Sequence, residues 1–341
     1  MSSKKSLVII GGGAAGFFCA VNAAKLNPAL KVIILEKTGK VLSKVRISGG
    51  GRCNVTHACF DIAEMSRRYP RGANFVKKTF HQFFTADTVK WFEERGVHLK
   101  TEADGRIFPV TDSSQTIIDC LHKEVNRFGV QIMMNAEVVS LKPENGKFTI
   151  ELTDSRNLIC DFVCIACGGY PKSSMFDWLK NLGHSIEEPV PSLFTFNLSA
   201  DHPITQLMGV SVDNVRIKIA GTKLEQQGPL LITHWGFSGP AVLKLSAWGA
   251  RELQQRKWNF EIMVNWLPAL NDTVLRDHFI SIRQTHAAQK IMGKNAFGLP
   301  NRLWDFFAVS SGVTNDMRWA DLPSVIQNKF IRHLTAADFS V

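Results

Sequence analysis

The chain has 341 residues, of which 45% are hydrophobic and 21% charged, with 25 glycines and 13 prolines. That composition excludes a disordered, collagenous or coiled-coil protein, and the length suits two domains with full cores. Forty basic residues against thirty acidic ones give a net charge of +10, which favours anionic partners. Aromatic residues make up 10%, but only two are Tyr, which suits a packed core better than an aromatic platform for nucleic acid.

Lys4 and Lys5 ahead of the apolar run Leu7 to Ala24 look like a secretory signal, but Gly11, Gly12, Gly13 and Gly16 interrupt the run and a second strand follows it. No later stretch reaches the ~18 apolar residues of a membrane span. The expectation is a cytoplasmic protein without a membrane segment. Ser6–Ile10 is a short apolar run rich in β-branched residues, as a buried parallel strand should be. Gly11-Gly-Gly13-Ala14-Ala15-Gly16 follows, then helical spacing over Phe17 to Leu26, then a second apolar strand, Lys31 to Glu36. Strand, glycines, helix, strand and terminal acid together predict a dinucleotide site. Gly11 allows the tight turn, Gly13 lets backbone N–H groups approach a pyrophosphate, and Gly16 lets the helix pack close to the strand. The helix N-terminus favours the anion. Glu36 is placed to accept hydrogen bonds from ribose hydroxyls.

A second glycine-rich loop follows, Lys44-Val-Arg46-Ile-Ser48-Gly49-Gly50-Gly51-Arg52-Cys53-Asn54, with Lys37 and Lys40 just before it. A helix is predicted over Thr85 to Arg95, with Thr85 as its cap, and another over Ser114 to Phe128. Strands are predicted at 106–110, 131–134, 138–142, 147–152 and 161–166. From Pro189 the pattern changes to short alternating strands at 195–199, 214–219, 224–227 and 259–264. Ser238-Gly-Pro240 starts and caps a helix, and further helices are predicted near 272–284, 300–310 and 322–334. The seven cysteines are odd in number and sit mostly in apolar or glycine-rich contexts, which suggests a reducing compartment. Cys164 and Cys167 spell CxxC, but on a strand they point to opposite faces, so core thiols and no metal site are expected.

Here the chain resembles the aminoacetone-oxidase-like family of FAD-dependent oxidoreductases, whose signature after the second strand is the Lys44–Asn54 pattern. The resemblance continues through Ala166-Cys-Gly-Gly169-Tyr-Pro-Lys, Leu182-Gly-His184, Pro191-Ser-Leu and Thr233-His234-Trp-Gly-Phe-Ser238-Gly-Pro240. It implies an α/β fold: a glutathione-reductase-like FAD-binding Rossmann domain with an inserted, mostly β second domain carrying a few helices. The expected division is an FAD domain over 1–190, an inserted domain over 191–334, and the start of a return to the FAD domain at 335–341. Relatives continue there with a segment that contacts the cofactor, so this sequence is expected to be a truncated or divergent form.

The resemblance implies FAD. Its pyrophosphate would lie on Gly11, Gly13, Ala14, Ala15 and Gly16, and its ribose on Glu36 and Lys37. The flavin would lie along Lys44 and Ser48 to Asn54. The strand at Val138 would offer backbone bonds to adenine, and the turn Ala166-Cys167-Gly168-Gly169 would pass the cofactor again. A flavin carries the redox chemistry, so the protein must supply a proton donor. Cys53, read either as a thiol lowered by Arg46 and Arg52 or as a small buried residue, and His234, read either as an acid or as a residue that holds its loop, are the candidates, and Arg52 is expected to steady a carbonyl or reduced flavin. A second dinucleotide motif is missing, so NAD(P)H is expected only as a transient electron donor.

Residues 37–78 hold ten basic residues against Asp61 and Glu64, a local excess of +8. Arg67, Arg68, Arg71, Lys77 and Lys78 have no evident cofactor role and read either as a solvated basic face or as a phosphate-tracking patch for RNA or another polyanion. The resemblance implies members that reduce uridine in ribosomal RNA and others that act on small amines or unsaturated acids. The expected activity is hydride transfer from flavin to an activated C=C, with uridine in ribosomal RNA as the favoured substrate; the alternative is an FAD-dependent oxidase or reductase of a small amine or unsaturated acid. An inactive, flavin-free chain is the third reading.

Overall fold

The protein is described by a computed structural model covering residues 4–170, 172–293, 295 and 297–341. The chain divides into two units, 1–188 and 189–341.

The first unit is built on a parallel sheet. Strand β1 (Ser6–Ile10) pairs on one side with β2 (Lys31–Leu35) and on the other with the strand Phe162–Ile165; β2 also pairs with Gln131–Met133. Helix α1 (Ala14–Leu26) makes the crossover between β1 and β2. It buries Phe17, Ala20, Val21 and Ala24, the spacing of one helix face. Alternate strand residues feed two separate cores. Ile9 and Ile34 pack with α1 and the helix Ser114–Arg127, whereas Val8, Ile33 and Leu35 pack with a three-stranded antiparallel sheet over Val138–Cys160. Continuous apolar strands are thus required by burial on both faces. A smaller sheet pairs Arg106–Pro109 with Thr56–His57 and Leu99–Thr101, with Phe108 fully buried.

The helix Thr85–Glu93 is capped by Phe84 and not by Thr85, because the Asp87 carboxylate reaches back to the Phe84 N–H at 2.8 Å. The helices Ile62–Arg67 and Ala73–Phe80 lie where no element was predicted; Asp61 caps the first by accepting from the Glu64 N–H at 2.6 Å.

The second unit is a six-stranded antiparallel sheet, in the spatial order 196–197, 236–238, 225–233, 211–219, 261–265, 337–340. Its core gathers Trp266, Trp304, Trp319, Phe279 and Phe330 between the sheet and the helices 240–255, 272–285, 301–311 and 324–335. The segment expected to begin a return to the FAD domain instead supplies the edge strand Ala337–Ser340, which pairs with Glu261–Val264. Alternation explains this placement: Ala337 and Phe339 are buried in the second unit's core while Asp338 and Ser340 face out.

Candidate functional site

The first unit contains a cavity of about 1000 Å³, at the upper end of ligand pockets. Its floor is the β1–α1 turn. Gly11 has φ +117°, and a Cβ there would sit 2.4 Å from the Ala166 carbonyl oxygen. A Cβ on Gly16 would lie 2.0 Å from the Gly11 carbonyl oxygen. These two glycines are therefore fixed by close backbone packing. Gly13 differs: a Cβ there meets no atom of the described residues within 4 Å, because the position opens onto the cavity. Gly13 is also the N-cap of α1 and brings no side chain to satisfy the first-turn N–H groups. Ala14 and Ala15 line the cavity beside it, while Gly16 lies beneath.

Glu36 closes one side. Its Oε2 accepts from the Gly12 N–H at 2.9 Å, and its Oε1 accepts from the Thr38 N–H and hydroxyl, each at 2.9 Å. Lys37 and Lys44 line the cavity too, and the Lys44 Nζ approaches Gly168. The turn Ala166-Cys167-Gly168-Gly169-Tyr170 also lines the cavity; Pro171 lies outside the described residues. An uncapped helix N-terminus, a glycine cradle open to the cavity, flanking ammonium groups and a carboxylate at the end of β2 are a donor set that fits a dinucleotide.

Of the second glycine loop, Ser48, Cys53 and Asn54 reach the cavity, whereas Gly49, Gly50 and Gly51 do not line it. Those glycines serve the backbone turn instead. All three have positive φ, and a Cβ on Gly49 would press on the Asn54 N and the Phe108 ring, each 2.8 Å away. Cys53 itself has φ +61°, and its N–H donates to the Ser48 carbonyl at 2.9 Å.

Three expectations for this loop change. Burial pushes the Cys53 thiol up, only partly opposed by the Ser48 hydroxyl, so the thiol is not acidified by neighbouring cations. Arg46 donates to the Gln115 Oε1 at 2.8 Å. Arg52 pairs with Glu102 at 2.5 Å and Asp112 at 3.5 Å, and its guanidinium lies 4.0 Å from the centre of the Phe108 ring. Arg52 is thus committed to a side network and does not line the cavity. Val138 does not line it either; the Ala136 N–H there is used by the Glu36 carbonyl.

His234 belongs to the second unit, exposed in the turn between Glu225–Thr233 and Gly236–Ser238, with its ring edge-on to Trp235 at 4.2 Å. Cys164 meets Cys19, whose thiol hydrogen-bonds to it and lowers it to about 7. Among the described residues, no group of three or more His, Cys, Asp or Glu side chains is arranged to hold a metal, and no helix is long and apolar enough to cross a membrane. Of the basic patch, Arg67, Lys77 and Lys78 fall on two short helices, and Arg68 and Arg71 lie between them. Arg68 pairs with Glu64 at 2.5 Å, the Arg67 Nε donates to the Ala63 carbonyl at 3.3 Å, and Lys77 and Lys78 are exposed. Phe60 and Phe75, among the most exposed large apolar side chains at 62% and 76%, lie in the same stretch.

Sequence reasoning missed the apolar part of the cavity wall, Phe18, Phe83, Phe92, Ile117 and Leu121. Each is an ordinary helix-face or loop hydrophobe in sequence, and only packing brings them together. It also passed over Tyr170.

Residues 5–289 match the family model described as the HI0933-like protein Rossmann domain. The chain is similar to a 3-dehydro-bile acid delta(4,6)-reductase of Clostridium scindens, with 29% identity over 80% of this chain and 66% of that protein. It is also similar to the ribosomal RNA dihydrouridine synthases of Escherichia coli (28% identity, 87% of this chain and 71% of that protein) and Haemophilus influenzae (28%, 72% and 62%). The chain thus spans about two thirds of the length of these relatives. Among solved structures, a flavocytochrome c3 fumarate reductase in its open conformation matches 62% of this chain and 48% of its own, with 20% identity and a TM-score of 0.44. The match over most of its length, together with the βαβ cradle that such a domain requires, establishes that the chain belongs to the HI0933-like, or aminoacetone-oxidase-like, family of FAD-dependent Rossmann-fold oxidoreductases.

Proposed function

We propose that the protein is an FAD-dependent reductase that adds hydrogen across a C=C bond conjugated to a carbonyl, with Cys53 as the proton donor. The observation that carries this reading is a buried thiol, held protonated, in the wall of a dinucleotide-sized cavity. FAD, once reduced by two electrons from NAD(P)H, would supply a hydride to an electron-poor carbon. The first turn of α1, Gly13 and Lys44 hold its diphosphate, and Glu36 its ribose. Cys53 keeps its Sγ proton at neutral pH because burial disfavours the thiolate, and it delivers that proton to the carbon next to the one reduced. The resulting thiolate then regains a proton from solvent. The electron donor in this reading is NAD(P)H, visiting the same cavity. The names of the relatives agree with such chemistry, since one is a delta(4,6)-reductase and two make dihydrouridine.

For the substrate we favour uridine in ribosomal RNA. Lys77 and Lys78, on the same short helix as the exposed Phe75, combine phosphate attraction with a ring on which a base can stack. The apolar wall of Phe18, Phe83 and Phe92 supports a second reading, a small unsaturated carbonyl compound. The test uses the purified chain with FAD. NADPH oxidation is followed with ribosomal RNA, with an unsaturated ketone, and with neither. Stimulation by RNA that disappears in Cys53→Ala, while flavin absorbance stays with the protein, is the expected result. Full activity in Cys53→Ala, or a chain that takes up no flavin, overturns the proposal. The double variant Lys77→Ala, Lys78→Ala is expected to flatten the salt dependence of RNA binding, reducing the slope of log K against log salt by about 1.4. An unchanged slope removes RNA from the reading.

A further inference from the structure

Tyr170 follows the Gly168-Gly169 turn and lines the cavity next to Lys37. Its ring is held by the chain's own side chains. The Lys37 Nζ lies 5.6 Å from the ring centre, and Phe176 meets the ring edge-on at 4.9 Å and 76°. Burial holds its hydroxyl protonated, well above the usual phenol range. A tyrosine held at its edge by a second ring and over its face by a cation has already lost much of its rotamer freedom, so a ring packed on it adds contact at little ordering cost.

The position along the cavity decides what meets it. Lys37 directly follows Glu36, the carboxylate placed for a ribose, whereas Ser48, Cys53 and Asn54 belong to the other glycine loop. The strand at Val138, which the sequence suggested for adenine, presents no cavity wall, and the Ala136 N–H is already used within the fold. An aromatic surface beside the ribose carboxylate suits a purine, whose flat face stacks on a phenol ring.

We infer that Tyr170, braced by Lys37 and Phe176, is the aromatic contact for the adenine of the bound dinucleotide and so makes the site prefer FAD over FMN. This rests on the FAD reading and not on the reaction catalysed. The test is direct binding to the full chain, followed by quenching of flavin fluorescence for FAD and FMN and by calorimetry for ADP, without substrate or reductant. Tyr170→Ala is expected to weaken FAD and ADP by about tenfold each and to leave FMN unchanged. Tyr170→Phe, which keeps the ring, is expected to stay within about twofold of the parent. If Tyr170→Ala does not fold, Tyr170→Leu keeps apolar bulk without a ring and is expected to give the same split. Equal weakening of FAD and FMN, or unchanged FAD and ADP, overturns the assignment. An enzyme inactive on every C=C substrate leaves this result untouched, so the two proposals fail separately.

Discussion

Replacing Gly13 by Asp separates the stability of the fold from the binding of a diphosphate. Gly13 has φ −90° and ψ −172°, an extended conformation open to any residue, and its Cβ direction is empty of described atoms to 4 Å. An aspartate is therefore accommodated without strain. As the N-cap of α1 it accepts from a first-turn N–H, which stabilises the helix by a few tenths of a kcal/mol relative to glycine. The same carboxylate occupies the ground proposed for the pyrophosphate. One unit charge about 5 Å from another at an effective dielectric near 40 repels by ~1.7 kcal/mol. Two phosphate charges double this to ~3 kcal/mol, or roughly a hundredfold loss of affinity. The assay pairs thermal unfolding of the apoprotein with FAD titration. The expected result is an equal or slightly higher Tm together with FAD binding weakened about a hundredfold. Parental FAD affinity in a folded Gly13→Asp protein refutes the placement of the diphosphate at the start of α1.

Other consequences are open to measurement. Arg95 and Glu124 form a buried pair at 2.9 Å, with 7% and 3% of their side chains exposed. Glu124→Ala strands the guanidinium and is expected to cost about 3 kcal/mol, the low end for such pairs because Arg95 keeps the Trp91 carbonyl and ring. In a melting curve of the first unit this is a fall of about 6–12 °C, and a shift under 2 °C shows that the pair is not needed. Burial pushes the Cys120 and Cys160 thiols up to about 11. Their unfolded counterparts ionise near 8.5, so the folded state holds the extra protons. Stability is expected to be level below pH ~8.5 and to fall as pH rises through about 11, a loss reduced in Cys120→Ala; denaturant midpoints that ignore pH over this window count against it.

The βαβ unit was legible because local spacing and burial agree there: Ser6–Ile10, the three glycines and Lys31–Leu35 each carry their own signal. The roles of Arg52 and Cys53 were not. The carboxylates that take up Arg52 come from Glu102 and Asp112, fifty and sixty residues later in the chain, and nothing near Arg52 announces them. Without that cation, and in an apolar wall, the Cys53 thiol moves opposite to what its neighbours in sequence suggest. Phe84 displaced Thr85 as a cap because a carboxylate three residues ahead outweighed the hydroxyl preference. The strand at 337–340 depended on a partner more than seventy residues away, which sequence alone does not name. Tyr170 was passed over because an isolated tyrosine after a glycine turn has no periodicity to mark it.

The Glu36 carboxylate does not wait in solvent for a ligand. Three donors from Gly12 and Thr38 already aim both of its oxygens, and through them the carboxylate ties the turn after β1 to the turn after β2. The orientation is therefore set during folding, and an arriving hydroxyl shares lone pairs that are already in place. Such a latch makes ligand recognition and the integrity of the two crossovers a single property. Shortening it to aspartate would loosen the empty protein before any cofactor came near, and hydrogen exchange at the Gly12 amide would register that loosening first.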